Sequence, residues 1–276
     1  MKLSAICPTG KTKYKFDDLN IIQCVIEESA ESSLNAYFAQ STANVKNDGS
    51  IVTEADIAMQ SAMTRALKMH YPDVLMLGEE NSEQEQLQVM RSGADYWCLD
   101  PLDGTNNYHH TLPLFSVSLA LISAGEIILA IVYDPVRKEF FSTLKGHGLW
   151  INNSKANPPV QPDTMKQSIA LVDFKRLSID IKLPLIERAP YKSQRNVGSC
   201  ALEWAWLAAG RVQLLLHGSE KFWDYAAGYL LSLESGGVSE TIEGEVVYNG
   251  TLTPRSVIAA SNAQLFTQWA DWIRQT

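Results

Sequence analysis

The chain reads as a mixed α+β and α/β protein, with an α/β unit packed on an α+β unit. Two patterns predict this. Between Phe115 and Thr143, three β-patterned stretches follow one another with short breaks, as antiparallel strands do. Beyond the stretch Asn152–Asp163, rich in Ser, Asn and Pro, strand-like and helix-like segments alternate instead.

In chain order, Asp17 and Asp18 supply an acidic start for an amphipathic helix from Leu19 to about Gln40. A loop over Asn44–Ser50 follows. Thr53-Glu54-Ala55-Asp56 opens a second helix that runs to about Met69 and stops before Pro72. Val74–Leu77 is a short strand ending in Gly78-Glu79-Glu80, and Tyr96–Leu99 another ending at Asp100-Pro101. Phe115–Ser123 and Glu126–Tyr133 flank Ala124-Gly125 as a hairpin, and Glu139–Thr143 adds a third antiparallel strand. Asn152–Asp163 divides the chain into halves, 1–150 and 151–276. The second half reads strand (Ile169–Phe174), strand (near Arg195), helix (Ser199–Ala209), strand (Val212–Leu216), helix (Tyr225–Ser235), strand (Ser256–Ala260) and helix (Ala263–Arg274).

Composition narrows the function. The 276 residues are 46% hydrophobic, enough for a substantial core. A formal net charge of −8 without a basic stripe argues against nucleic-acid partners. It also leaves phosphorylated ligands unattracted unless bound metal ions supply positive charge inside the site. Cys7, Cys24, Cys98 and Cys200 form no CxxC pair, so neither a zinc site nor a disulfide framework is expected. No apolar stretch reaches membrane-spanning length, and MKLSAICPTG does not read as a secretory leader. A soluble, cytoplasmic protein is expected.

The densest chemical signal is Asp100-Pro101-Leu102-Asp103-Gly104-Thr105, read as a tight turn directly after a strand. Carboxylate oxygens are the ligands Mg²⁺ prefers. Asp100 is placed to bridge two ions, with the Leu102 carbonyl and the Asp103 carboxylate completing their shells. The Gly104 and Thr105 amides would start a helical turn and face an anion. Glu79 and Glu80 suggest one metal ligand and one residue that orients it. Asp56 and Asp224 have simpler readings as helix caps, because Thr53-x-x-Asp56 is nearly a capping box and Asp224 opens a helix. Each of these signals is weak alone.

Together they resemble the inositol monophosphatase superfamily. Its signature W-x-x-D-P-[LI]-D-G-T-x-N is similar to Trp97–Asn107, and W-D-x-A-[AG]-G…E-[AS]-G-G to Trp223–Gly228 with Glu234-Ser235-Gly236-Gly237. Its V-T-x-A-D, G-E-E and G-[ST] elements are matched by Val52–Asp56, Gly78-Glu79-Glu80 and Gly198-Ser199. Five motifs in order, from about Lys46 to Ala260, are far more specific than any one.

The resemblance implies a layered αβαβα fold and two or three Mg²⁺ ions. Glu79, Asp100 and the Leu102 carbonyl would hold one ion; Asp100, Asp103 and Asp224 the second. Thr105 and Asp56 would orient the attacking water, and Gly198 and Ser199 would contact the substrate. It also implies Li⁺ inhibition and a homodimer. Two positions depart from the pattern. Gly49-Ser50 stands where many relatives carry an acidic residue or Ser-Pro, and an ungapped reading puts His217 where inositol-preferring relatives carry a glutamate that touches ring hydroxyls. His217 is therefore a candidate substrate contact, against the simpler reading of a solvated loop histidine.

The expected activity is Mg²⁺-dependent hydrolysis of a phosphate monoester of a small polyol or sugar, by metal-activated water. The alternatives are a 3′(2′),5′-bisphosphate nucleotidase, a fructose bisphosphatase, and a regulatory binding protein on the same fold. Lys175, Arg176, Lys192 and Arg195 are too scattered to read as a second phosphate site.

Overall fold

The computed structural model describes residues 13–35, 43–45 and 51–276. Helix α1 (Asp18–Ala30) continues into a π turn, Glu31–Asn35. The remainder of the first expected helix, toward Gln40, lies outside the described residues, as does Gly49-Ser50. Asn44, expected in a loop, belongs to strand β1 (Ala43–Val45), which pairs antiparallel with β2 (Ile51–Thr53) and gives its backbone groups partners. Thr53 then caps α2 (Glu54–His70).

The first sheet has seven strands in sequence order: β3 (Leu75–Gly78), β4 (Tyr96–Asp103), β5 (Ser116–Ser123), β6 (Glu126–Asp134), β7 (Glu139–Leu144), β8 (Trp150–Ile151) and β9 (Ser154–Lys155). Every pair is antiparallel except β3 with β4, which run parallel with α3 (Glu83–Arg91) as their crossover. The β5–β6 turn places both Ala124 and Gly125 at positive φ, 50° and 78°, the conformation a tight hairpin needs.

The second sheet, in the order β11-β10-β12-β14-β13, is built from β10 (Ile169–Asp173), β11 (Ser193–Arg195), β12 (Leu214–Glu220), β13 (Val238–Glu240) and β14 (Arg255–Ala260). Its helices are α5 (Ile179–Glu187), α6 (Cys200–Ala208), α7 (Phe222–Glu234) and α8 (Ala263–Arg274). A short helix α4 (Thr105–His109) follows β4; it precedes α5 in the chain.

Three apolar clusters set the layering. Leu19, Ile22, Ile26, Met59 and Met63 of α1 and α2 pack on one face of the first sheet, against Trp97, Leu99, Leu119 and Leu129. Its other face, with Tyr96, Cys98, Ala120 and Val132, packs on α6 and α7 together with Leu171, Leu215 and Ala259 of the second sheet. The far face of the second sheet, with Val172, Leu216 and Ile258, is covered by Ile181 and Leu185 of α5 and by Leu265 and Trp269 of α8. The order is helix, sheet, helix, sheet, helix, which is the αβαβα arrangement the motifs imply. Because side chains alternate along a strand, Trp97 and Leu99 serve one layer while Tyr96 and Cys98 serve the next.

The middle layer is thin because α7 has small residues where it meets α6. A methyl built on Gly228 would fall 2.2 Å from Cβ of Trp204, a residue with no exposed surface. Gly228→Ala must therefore push the two helices apart. We expect a loss of about 1–3 kcal/mol, the range for overpacking a close-packed core, measured as a lower midpoint in urea unfolding with an unchanged slope.

Candidate active site

Strands β3 and β4 are parallel, so their carboxyl ends open on one edge. The Gly78–Leu99 pairing, extended by the bond from Glu79 N–H to Leu99 O (3.0 Å), puts Glu79 beside Asp100. Asp100-Pro101-Leu102-Asp103 was expected as a turn but is the bulged end of β4. Asp100 pairs with Ser118 and Asp103 with Ser116, with the register shift between them. A bulge suits this sequence because Pro101 has no N–H to give the ladder. The freed Leu102 N–H is taken up by Asp100 Oδ1 at 3.0 Å. Gly104 then reverses the chain at φ 93°, where a methyl would meet Leu114 O at 3.0 Å and Gly198 O at 3.3 Å. Only glycine fits there without strain.

Asp103 joins the two halves. Its Oδ2 accepts from Ser199 Oγ (2.5 Å), Ala201 N–H (2.8 Å) and Ser116 Oγ (3.3 Å), and its Oδ1 from Cys200 N–H (3.1 Å). The carboxylate thereby caps the start of α6 from outside that helix. Ser199 is fully buried, with its hydroxyl committed to Asp103, so what Gly198-Ser199 offers a ligand is backbone.

Asp56 and Thr105 also meet. Asp56 Oδ2 accepts from Thr53 N–H (2.7 Å) and Thr53 Oγ1 (2.6 Å), while its Oδ1 lies 3.2 Å from Thr105 Oγ1. The same Thr105 hydroxyl is 3.0 Å from Leu102 O. Asp224, in the first turn of α7, accepts from Lys221 N–H at 2.8 Å. Lys221 Nζ stands 3.8 Å from Glu79 Oε1. Glu80 lies on the turn after Glu79, its N–H bonded to Gln60 Oε1 at 3.0 Å.

The acids perturb one another. Burial pushes the Asp100 carboxyl well above the usual range, and Glu79, Asp103 and Asp224 push it further. Burial, then Glu79 and Asp103, raise Asp224 to about 8. Burial raises Asp103 too, against the opposing bonds from Ser199 and the α6 amides, and it raises Asp56. Carboxylates plus the Leu102 carbonyl form a hard-oxygen donor set, which fits Mg²⁺ or a similar divalent ion and does not fit a soft metal. The mutual repulsion that raises these acids is what such a cation would remove.

His217 is not in a solvated loop, because β12 continues past it to Glu220 and buries it. Its Nδ1 accepts from Ser219 N–H at 3.2 Å, which places the ring proton on Nε2, 2.9 Å from Asp173 Oδ2. Cys200 Sγ is 3.7 Å from the same Nε2. Cys200, His217 and Glu220 bring potential ligand atoms within 4.8 Å of one another. However, both imidazole nitrogens are engaged, so the His217 ring has no lone pair left for a metal. Burial and the surrounding acids, Glu220 first, push the Cys200 thiol far above its usual range and make it a poor nucleophile.

Other features have structural roles. Glu234 of the second signature clamps the β7–β8 turn through Gly146 N–H (2.7 Å) and Gly148 N–H (2.8 Å). Trp223 is buried in the middle layer. Sequence reasoning missed Asp173, Lys221 and Glu203, the last of which holds Val197 N–H at 2.7 Å and so fixes the segment before Gly198. A local signal existed only for Lys221, which directly precedes the Phe222-Trp223-Asp224 opening of α7.

Known proteins resemble this chain in sequence and in fold. The model of the inositol monophosphatase family matches residues 19–275. The inositol-1-monophosphatase of Bacillus subtilis is 30% identical over 205 residues, covering 72% of this chain and 75% of that protein. The Nus factor SuhB of Escherichia coli K12 is 32% identical over 211 residues, covering 73% and 76%. A solved IMPase/NADP phosphatase complexed with Mg²⁺ and phosphate superposes with a TM-score of 0.81 at 22% identity, over 92% of this chain and 94% of that one, a likeness of fold.

The raised acids make a stability prediction. Asp224 binds its proton more tightly folded, where its carboxyl is pushed up to about 8, than at its ordinary value of 3.8. The folded state therefore holds more protons between those values, and stability falls as pH rises through that window. Metal-free protein should melt higher at pH 6 than at pH 8, and Mg²⁺ should raise the melting temperature more at pH 8. Thermal scans with and without chelator check this; a flat profile in Asp224→Asn would identify the residue responsible.

Proposed function

The chain belongs to the inositol monophosphatase family, and on that footing we propose that it hydrolyses the phosphate monoester of a small polyol or sugar. The observation that carries this reading is the convergence of Glu79, Asp100, Asp103, Asp224 and the Leu102 carbonyl beside the Asp56–Thr105 pair. We assign the first five groups to Mg²⁺, which when bound supplies Lewis-acid activation of water and neutralises phosphate charge.

The remaining roles belong to the chain itself. Thr105 Oγ1, held between Asp56 Oδ1 and Leu102 O, has one proton to donate and lone pairs left to fix the attacking water. Asp56 stands behind it as proton acceptor, and Glu80 orients Glu79. The Gly104 and Thr105 amides face the phosphate. The backbone of Gly198-Ser199 contacts the alcohol half. Cys200 is protonated and His217 is tied to Asp173, which supports direct attack by water over a covalent intermediate. Li⁺ inhibition, a homodimer and a cytoplasmic location belong to the same proposal. Cys24, Cys98 and Cys200 are free thiols, in keeping with a reducing compartment, and among the described residues no helix is long and apolar enough to cross a membrane.

The bisphosphate alternatives need a cluster of bases. Arg176 and Arg195 instead direct guanidinium nitrogens to nearby Ser219 O (3.5 Å) and Ser193 Oγ (2.6 Å). A regulatory role on the same fold is the second reading, favoured by the likeness to the Escherichia coli Nus factor SuhB. Phosphate release from a panel of esters, with and without Mg²⁺, separates the two: a regulator without catalysis releases none.

Two variants test the assignment. Asp100→Asn should lose at least ~10³-fold in kcat, since metal charge stabilisation supplies several kcal/mol. Without metal it should be no less stable than wild type, because a repelled charge is gone. A folded variant keeping a tenth of the wild-type rate removes Asp100 from the site. Thr105→Ala should bind Mg²⁺ normally and lower kcat more than it raises KM; unchanged kcat with raised KM reassigns Thr105 to substrate binding.

A further inference from the structure

Asp173 ends β10, and its register partner His217 lies within the neighbouring parallel strand β12. Leu171 and Leu215, two residues earlier on each strand, face the middle layer, so by alternation Asp173 and His217 turn toward the start of α6. A short chain of contacts links them to the acid cluster. Asp103 holds Cys200 N–H at 3.1 Å, Cys200 Sγ lies 3.7 Å from His217 Nε2, and Nε2 lies 2.9 Å from Asp173 Oδ2. Asn196, just ahead of Gly198-Ser199, reaches Asp173 Oδ1 at 3.4 Å.

The His217 imidazole has no free nitrogen, whereas Asp173 has spare capacity. An ionised carboxylate accepts about four hydrogen bonds. Asp173 Oδ1 takes Lys175 N–H (2.9 Å) and the longer Asn196 bond, and Oδ2 takes the His217 proton. Oδ2 keeps a lone pair, and the side chain retains 19% of its surface. His217 thus fixes the carboxylate and leaves one acceptor position of Oδ2 free.

We propose that Asp173 determines specificity by accepting hydrogen bonds from hydroxyls of the alcohol half of the substrate, with His217 as its positioning residue. The proposal rests on the phosphatase reading above and narrows its substrate class. A fixed negative charge there favours an uncharged, polyhydroxylated alcohol over one bearing a second phosphate or a carboxylate.

The test compares two esters at saturating Mg²⁺. Inositol 1-phosphate has hydroxyls beside the ester; 4-nitrophenyl phosphate has none. In Asp173→Asn, KM for inositol 1-phosphate should rise about tenfold with kcat little changed, and kcat/KM for 4-nitrophenyl phosphate should stay within about twofold. His217→Gln, whose amide can still donate to Asp173, should keep the wild-type ratio of specificity constants, and His217→Leu should lose it. If Asp173→Asn fails to fold, Asp173→Ser, which retains an acceptor for Lys175 N–H, is read by the same ratio. Parallel losses on both esters, or an unchanged ratio, would overturn the assignment while leaving the phosphatase reading intact. A wild-type protein that hydrolyses neither ester sinks both.

Discussion

The Asp103 carboxylate closes the site by touching both halves of the chain. Its oxygens accept from Ser199 Oγ, Cys200 N–H and Ala201 N–H, residues almost a hundred positions away. Those bonds fix where α6 begins and so place Gly198 against Gly104, Cys200 against His217, and the middle helical layer against the end of β4. Ion–amide bonds at a helix start are among the stronger hydrogen bonds a buried acid can make. They allow a carboxylate to sit buried where the two halves meet.

The same device recurs around the site. Asp56 takes the Thr53 amide at the start of α2, and Asp224 takes the Lys221 amide at the start of α7. In the sequence, capping and metal binding compete as explanations of these acids. In the folded chain they are compatible: an aspartate has two oxygens, and one can face the helix start while the other faces the centre. Helix starts also bring positive ends of their dipoles toward the acids, which offsets part of the repulsion the acids impose on one another. The remainder still shows in the raised carboxyls of Asp100 and Asp224, which is why the arrangement calls for a cation.

Much of this was legible because motif residues sit at strand ends and helix starts, where local sequence carries its strongest signals. The α/β and α+β units followed from apolar strands and amphipathic helices, and their layering from the resemblance. What was not legible is short or non-local. β8, β9 and β13 have two or three residues each, too few for a period to show. α3 fully buries only Gln86, with Val89 and Met90 partly buried against the core, and its start is held by the Ser82–Glu85 capping box. The bulge at Pro101 looks like a turn until β5 is paired with it. The Asp173–His217 contact joins residues 44 apart across parallel strands, and neither belongs to a motif that names the other.

Surroundings, more than residue type, divide the labour among the acids. Burial lifts Glu203 to about 8, so near neutrality it is largely a neutral acid bracing Val197. Burial pushes the Glu220 carboxyl well above its usual range as well, against the opposing bond from Trp204 Nε1–H at 2.8 Å. Burial also acts on Asp173, but the His217 and Lys175 bonds outweigh it and hold the carboxyl below its usual range. Negative charge is therefore withdrawn from the packed interior behind α6. It is kept at the single carboxylate at the end of β10, and a bound cation would draw it out at the cluster at the end of β4. Asp103 and Asp173 contact successive parts of the segment around Gly198-Ser199, Asp103 through Ser199 and Cys200 and Asp173 through Asn196; on the proposed reading, the phosphate end of a ligand belongs with the cations and its hydroxyl-bearing end with Asp173. A backbone wall between two such poles can orient a small asymmetric molecule without a side chain of its own.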